Sequence, residues 1–195
     1  MINLLHPFTV AQISRLRAGD PVAVSGLCHT GRDRFHKHLF ETGESRVRLR
    51  DGAIFHCGPI VQPSAPSLQP SAFKIIAAGP TTSIREEPYM PRIIAEHGLR
   101  VIIGKGGMGA ATAAACHEHG CVYLQAVGGA AALIAQRIKR VADVNYLEEF
   151  GATEAVWTIE FDNLETICAI DSLGTCLHDA VRQISERNLK RLTVR

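Results

Sequence analysis

The stretch KIIAAGPTTSIREEPYMPRIIAEHGLRVIIGKGGMG, residues 74–109, decides the fold. Two short apolar runs, Lys74–Ala78 and Arg100–Ile103, each end in a turn that carries polar groups. A helical pattern lies between them, so the stretch reads as strand, Gly-Pro turn, helix, strand, Gly-rich turn. The first turn offers Thr81, Thr82, Ser83 and Arg85, and the second offers Lys105 amid four glycines. In an open α/β sheet such turns lie side by side at the carboxyl ends of the strands, where ligands bind. Two cations, several hydroxyls and exposed backbone N–H groups then face one point, an arrangement suited to an anion. It reads as the carboxylate-binding half of an active site.

Working outward, Ala53–Cys57 is a second short strand closed by Gly58-Pro59, the same device as Phe73–Ala78 before Gly79-Pro80. Beyond the Gly-rich turn, Ala110–Glu118 reads as a small-residue helix stopped by Gly120. Cys121–Val127 reads as a strand ending in Gly128-Gly129, and Ala130–Val141 as a helix with Arg137, Lys139 and Arg140 toward its end. Upstream, Thr9–Leu16 reads as a short helix and Asp20–Leu27 as a strand leading into Cys28–Asp33. A helix from Asp33 to about Glu41 follows, with Phe35 and Leu39 on its buried face. Pro63, Pro66 and Pro70 make QPSAPSLQPSA, residues 62–72, a surface loop. Near the C-terminus, Ala155–Phe161 and Ile167–Ile170 read as two strands. Asp179–Leu192 reads as an amphipathic helix with Val181, Ile184 and Leu189 turned inward. The expected class is α/β with a mostly parallel or mixed central sheet, one domain over residues 1–195.

At 195 residues and 46% hydrophobic, the chain has material for one sizeable core. A net charge of +2 with acids and bases intermixed points to neither nucleic acid nor an anionic membrane. No basic, apolar leader or membrane-length apolar segment is present, so a cytoplasmic protein is expected. Its six cysteines form no CxxC pair and read as reduced, buried side chains. Any iron–sulphur cluster is therefore expected from a partner.

Four local patterns compete for function. Gly104-Lys105-Gly106-Gly107-Met108-Gly109 matches a dinucleotide fingerprint in strand–helix context, but the next strand ends without the acidic residue that grips a ribose. Cys116-His117-Glu118-His119-Gly120-Cys121 holds four Cys and His side chains, of which 116, 117 and 119 fan around a helix instead of sharing a face and 121 starts the next strand. His36 and His38 fall on different faces of their helix, so one at most reaches the site. Arg32 sits at a strand–helix junction, where it can clamp a carboxylate by two parallel bonds or pair with Asp33 or Glu87.

Several longer motifs resemble one family. They are TGRDRFHK at 30–37, AIFHCGPI at 53–60, AAGPTTSIR at 77–85, IIGKGGMG at 102–109, EHGCVY at 118–123 and VGGAAALIA at 127–135. Together they resemble the β subunit, or C-terminal domain, of class I iron–sulphur fumarate hydratases and L(+)-tartrate dehydratases. The resemblance implies a swivelling β/β/α domain and a hydro-lyase. It also implies an α subunit carrying a [4Fe–4S] cluster, a small dicarboxylate substrate, and a hetero-oligomer with two copies of each subunit. Carried over, Arg32, Arg85 and Thr82 bind substrate, Thr81 is the general base and Lys105 completes the electrostatic site. Fumarate/(S)-malate is the first expectation. L(+)-tartrate dehydration to oxaloacetate is the alternative, a methylated dicarboxylate a further one, and a non-catalytic anion- or nucleotide-binding module the remote one. Ile84 stands where the family has glycine, Glu86-Glu87 where it often has Met-Asp, and Phe35 where alanine is common. These departures bear on the choice of substrate.

Overall fold

A computed structural model describes residues 1–64 and 69–193. The strands are β1 (Ile2–Leu5), β2 (Pro21–Gly31), β3 (Ala53–His56), β4 (Ile60–Pro63), β5 (Phe73–Ala77), β6 (Val101–Gly104), β7 (Val122–Gln125), β8 (Ile138–Asn145) and β9 (Val156–Ile170). The helices are α1 (Val10–Ile13), α2 (Asp33–Thr42), α3 (Met90–His97), α4 (Ala110–His119), α5 (Ala131–Ala135), α6 (Leu147–Phe150) and α7 (Leu177–Thr193). The central sheet runs β1-β2-β3-β6-β7-β9-β8. Neighbours from β1 through β7 are parallel, whereas β9 is antiparallel to β7, β8 and β2. Because β9 pairs with both β7 and β2, the sheet rolls back on itself. The class is α/β with a mixed sheet.

Both faces of β3, β6 and β7 are covered, so these strands read as largely continuous apolar runs. Period-2 alternation sorts them into two cores. Ala53, Phe55, Val101, Ile103, Val122 and Leu124 join a cluster with Trp157 and Phe161, against which Val61 and Phe73 of β4 and β5 pack. Ile54, Ile102 and Tyr123 face the other way, onto Phe35 and Leu39 of α2, Ile93 and Ile94 of α3, and Cys116 of α4. Full burial of each such large side chain is worth about 2 kcal/mol. Among the described residues, no helix is long and apolar enough to cross a membrane.

Several elements depart from the sequence expectation. The run at Lys74–Ala77 is not in the central sheet: β5 pairs antiparallel with β4 in a separate two-stranded sheet. Pro63 therefore ends a strand instead of lying in loop, which an edge strand tolerates. Pro70 opens a 3-10 turn, and Pro66 lies outside the described residues. The helix expected over Ala130–Val141 stops at Ala135, and Arg137, Lys139 and Arg140 instead lie in or beside β8. There they pair with Glu165, Asp162 and Glu160 of the adjacent β9. Strand pairing has overridden a helix-compatible local pattern. The two late strands are one, β9, whose turn is absorbed at Asn163 with φ 53°. Val181, Ile184 and Leu189 of α7 are exposed, not inward.

Candidate active site

β2, β3 and β6 end together at one edge of the sheet, at Gly31, His56 and Gly104. Beyond their paired residues β3 and β6 separate, and Pro80–Thr82 enters the gap. Pro80 bridges Cys57 on one side and Thr82 bridges Lys105 on the other. The Thr81 N–H donates to the His56 carbonyl at 2.7 Å, and the Lys105 N–H to the Thr81 carbonyl at 3.2 Å. The wedge thus continues the sheet, although β5 itself does not belong to it.

Thr81 is half-buried, and its Oγ1 is buried with no hydrogen-bond partner among the described residues. It does not cap the following helix: Thr82, exposed, holds the N-cap position of the Ser83–Glu86 3-10 turn, without a side-chain bond. A buried hydroxyl without a partner costs stability unless something else engages it. Lys105 is half-buried and, among the described residues, has no ion pair. Its stem passes over Gly128, where an added Cβ would meet Cδ at 3.5 Å.

Arg32 follows β2 directly and is the N-cap residue of α2. Its stem lies against Gly58, where any Cβ would stand 2.7 Å from Cδ. Its Nε is 3.4 Å from Glu154 Oε1, and one terminal nitrogen is 4.0 Å from Asp33. Glu154 also accepts the Arg34 N–H at the start of α2, at 3.1 Å. Arg85 is exposed and hydrogen-bonds Asp33. Arg32 and Arg85 are therefore linked through one carboxylate, Asp33. Glu87, the other partner considered for Arg32, lies elsewhere. Its carboxylate accepts Gly109 N–H at 2.7 Å, Thr112 N–H at 3.0 Å and Thr112 Oγ1–H at 2.6 Å. It fills the anion position at the N-terminus of α4, so the place where a dinucleotide's phosphates would sit is already taken.

A polar floor, unread in the sequence, lies under these groups. His56 Nδ1 and Ser83 Oγ share a hydrogen bond of 2.9 Å. Tyr123 Oη donates to Gly106 O at 2.9 Å and lies 3.1 Å from Ser83 Oγ. Gly104 makes room: a Cβ there would stand 1.9 Å from Ser83 Oγ. His36 meets His56 edge to face with ring centroids 4.8 Å apart, while His38 packs on Tyr146 and Phe150. Burial pushes His36 down to about 4 and His56 well below the usual imidazole range. Both rings are neutral structural groups at pH 7. The only sequence signal for His56 is a polar residue closing an apolar strand before Gly-Pro.

Among the described residues no group of three or more His, Cys, Asp or Glu could hold a metal ion. The cysteines are free, and burial pushes Cys57 and Cys168 up to about 12 and Cys28 higher still. No three of the described cysteines gather at one point, so they do not fit an iron–sulphur cluster.

Comparison with known proteins matches residues 1–181 to the family described as Fumarase C-terminus. The chain belongs to this family. It is 41% identical over 189 residues to a Geobacillus stearothermophilus protein assigned by name as a fumarate hydratase class I, covering 97% of this chain and 36% of that protein. This chain thus spans little more than a third of that relative's length. It is 34% identical over 183 residues to a Methanocaldococcus jannaschii protein assigned as an L(+)-tartrate dehydratase subunit beta, covering 91% of each. Against the L(+)-tartrate dehydratase subunit beta of Escherichia coli the identity is 31% over 178 residues, covering 89% of this chain and 85% of that one.

Proposed function

We propose that this chain is the carboxylate-binding and proton-handling β subunit of a hydro-lyase acting on a C4 dicarboxylate, with L(+)-tartrate as the first candidate substrate. The relatives that match along most of their own length are tartrate dehydratase β subunits, at 91% and 85% coverage. That reverses the order expected from the motifs. Fumarate/(S)-malate becomes the second reading, supported by the 41% identity to the fumarate hydratase. The partner in this reading is an α subunit that holds the [4Fe–4S] cluster, in a hetero-oligomer with two copies of each subunit. Residues 1–195 act as one domain, and the free cysteines suit a reducing cytoplasm.

The observation that carries the reading is the unpartnered Thr81 Oγ1, fixed by backbone bonds between His56 and Lys105 at the edge where Arg32 and Arg85 end. In the proposed mechanism Arg32 and Arg85 bind the two substrate carboxylates, and the Thr82 hydroxyl adds a contact beside them. Thr81 Oγ1, once its own proton has passed to a base supplied by the α partner, takes the proton from the carbon next to one carboxylate, or returns it in the reverse direction. Removal of that proton moves negative charge onto the carboxylate, so fixed cations stabilise the transition state more than the ground state. Lys105, which has no ion pair among the described residues, lowers the cost of charge at Thr81 Oγ1 and on the substrate.

Anaerobic assembly with the α partner, its cluster restored, tests this reading. L-tartrate, (S)-malate, fumarate and mesaconate are assayed in parallel. Turnover requiring both chains is expected, with L-tartrate preferred. A stable, cluster-loaded complex that turns over none of the four defeats it.

A further inference from the structure

Glu86 is 2% exposed and lies on the 3-10 turn directly after Arg85. Its Oε2 sits 3.5 Å from His36 Nδ1, but that nitrogen gives its proton to the Arg32 carbonyl at 2.8 Å. Oε2 is left without a hydrogen bond. The neutral His36 ring supplies no positive charge, and His56 behind it is also neutral. The other groups facing Glu86 are Asp33 of α2, Arg85 of its own turn and, farther off, Glu154. Arg32, at the end of β2, reaches Glu154 and Asp33. Arg85 is already bonded to Asp33. The enclosed Glu86 carboxyl and the half-buried Asp33 carboxyl beside one engaged guanidinium cannot both ionise without a large penalty, so one of them keeps its proton. Asp33, hydrogen-bonded to Arg85 and partly exposed, is the better anion; Glu86, enclosed, is the acid.

We infer that Glu86 is a positioning residue for Arg85. As a neutral carboxylic acid it leaves Asp33 the sole anion that aims this arginine, and its ionisation weakens the site's hold on a dicarboxylate. Burial, and then the Asp33 charge, push Glu86 up to about 8, so the change falls just above neutral pH. The inference rests on the proposed dicarboxylate function.

The test follows binding, not turnover. In the cluster-loaded complex, calorimetric Kd values for L-tartrate and (S)-malate are measured from pH 6.5 to 9.5. The wild type is expected to weaken about tenfold across that range, as one added charge at close range predicts. Glu86→Gln, isosteric with the protonated acid, should flatten the profile. Infrared spectra of the chain should show a protonated carboxyl at pH 7 that is absent in Glu86→Gln. In Asp33→Asn that band should vanish at lower pH, because the neighbouring charge is gone. A pH-independent Kd in the wild type, or no protonated carboxyl at pH 7, overturns the inference alone. Failure to bind either acid at any pH overturns the dicarboxylate function and the inference with it.

Discussion

Lys105 and Thr82 face each other across an isolated parallel bridge, flanked by hydrogen bonds from Lys105 N–H to Thr81 O at 3.2 Å and from Ser83 N–H to Lys105 O at 3.0 Å. The backbones that carry Lys105 and Thr81 are therefore held in one register. Such rigid backbone placement is what electrostatic stabilisation of a developing charge needs.

Thr81→Val separates catalysis from stability. Thr81 Oγ1 has no partner to lose, and valine keeps the shape. Denaturant unfolding should shift by less than about 1 kcal/mol, and removing an unsatisfied hydroxyl can even stabilise. Turnover in the assembled complex should fall about 100-fold or more, the usual worth of a positioned proton-transfer group.

Gly104→Ala tests the polar floor. Its Cβ would stand 1.9 Å from Ser83 Oγ and 3.2 Å from His56 Nδ1. Overpacking of this kind costs about 1–3 kcal/mol. Adding Ser83→Ala removes the nearest clashing atom, so the double variant should be more stable than the sum of the single effects predicts. A double-mutant cycle by denaturant unfolding reads that coupling.

Stability should also depend on pH in a specific way. His36 and His56 are held neutral by burial, while the unfolded chain takes up their protons below about 6.5. Their contribution is therefore present above that pH and is lost as pH falls toward 4. Glu86 has the opposite sign. Its pKa is raised from an ordinary 4.5 to about 8, so its contribution is full below 4.5 and is lost as pH rises through 8. Stability should peak near pH 6.5 and fall by about 1–2 kcal/mol by pH 8. Glu86→Gln should hold level over that upper range. Denaturant midpoints at half-unit steps of pH check both limbs.

Much of this was legible in the chain because apolar period and turn chemistry are local. Phe35 and Leu39 marked the buried face of α2, and the apolar runs Ala53–Cys57 and Arg100–Ile103 marked strands, although their parallel pairing as β3 and β6 came only with the structure. The residues that meet at the edge were legible only through their motifs. β8 was misread because Ile138–Asn145 becomes a strand by pairing with β9, which no short window contains. β5 was assigned to the central sheet because its Gly-Pro turn does reach that sheet, whereas the strand itself pairs with β4. The floor of His36, His56, Ser83 and Tyr123 spans four separate segments, and Glu87 reaches across to cap α4. Only folding brings these together.

The most direct test is Arg85→Ala in the assembled, cluster-loaded complex. Arg85 is exposed and its ion pair with Asp33 is a surface pair, so the variant should fold and assemble as the wild type does. Because Arg85 is proposed to grip a substrate carboxylate, kcat/KM for the preferred dicarboxylate should fall about 100-fold or more. A folded, assembled Arg85→Ala complex that keeps full kcat/KM would contradict the placement of the carboxylate site at this sheet edge.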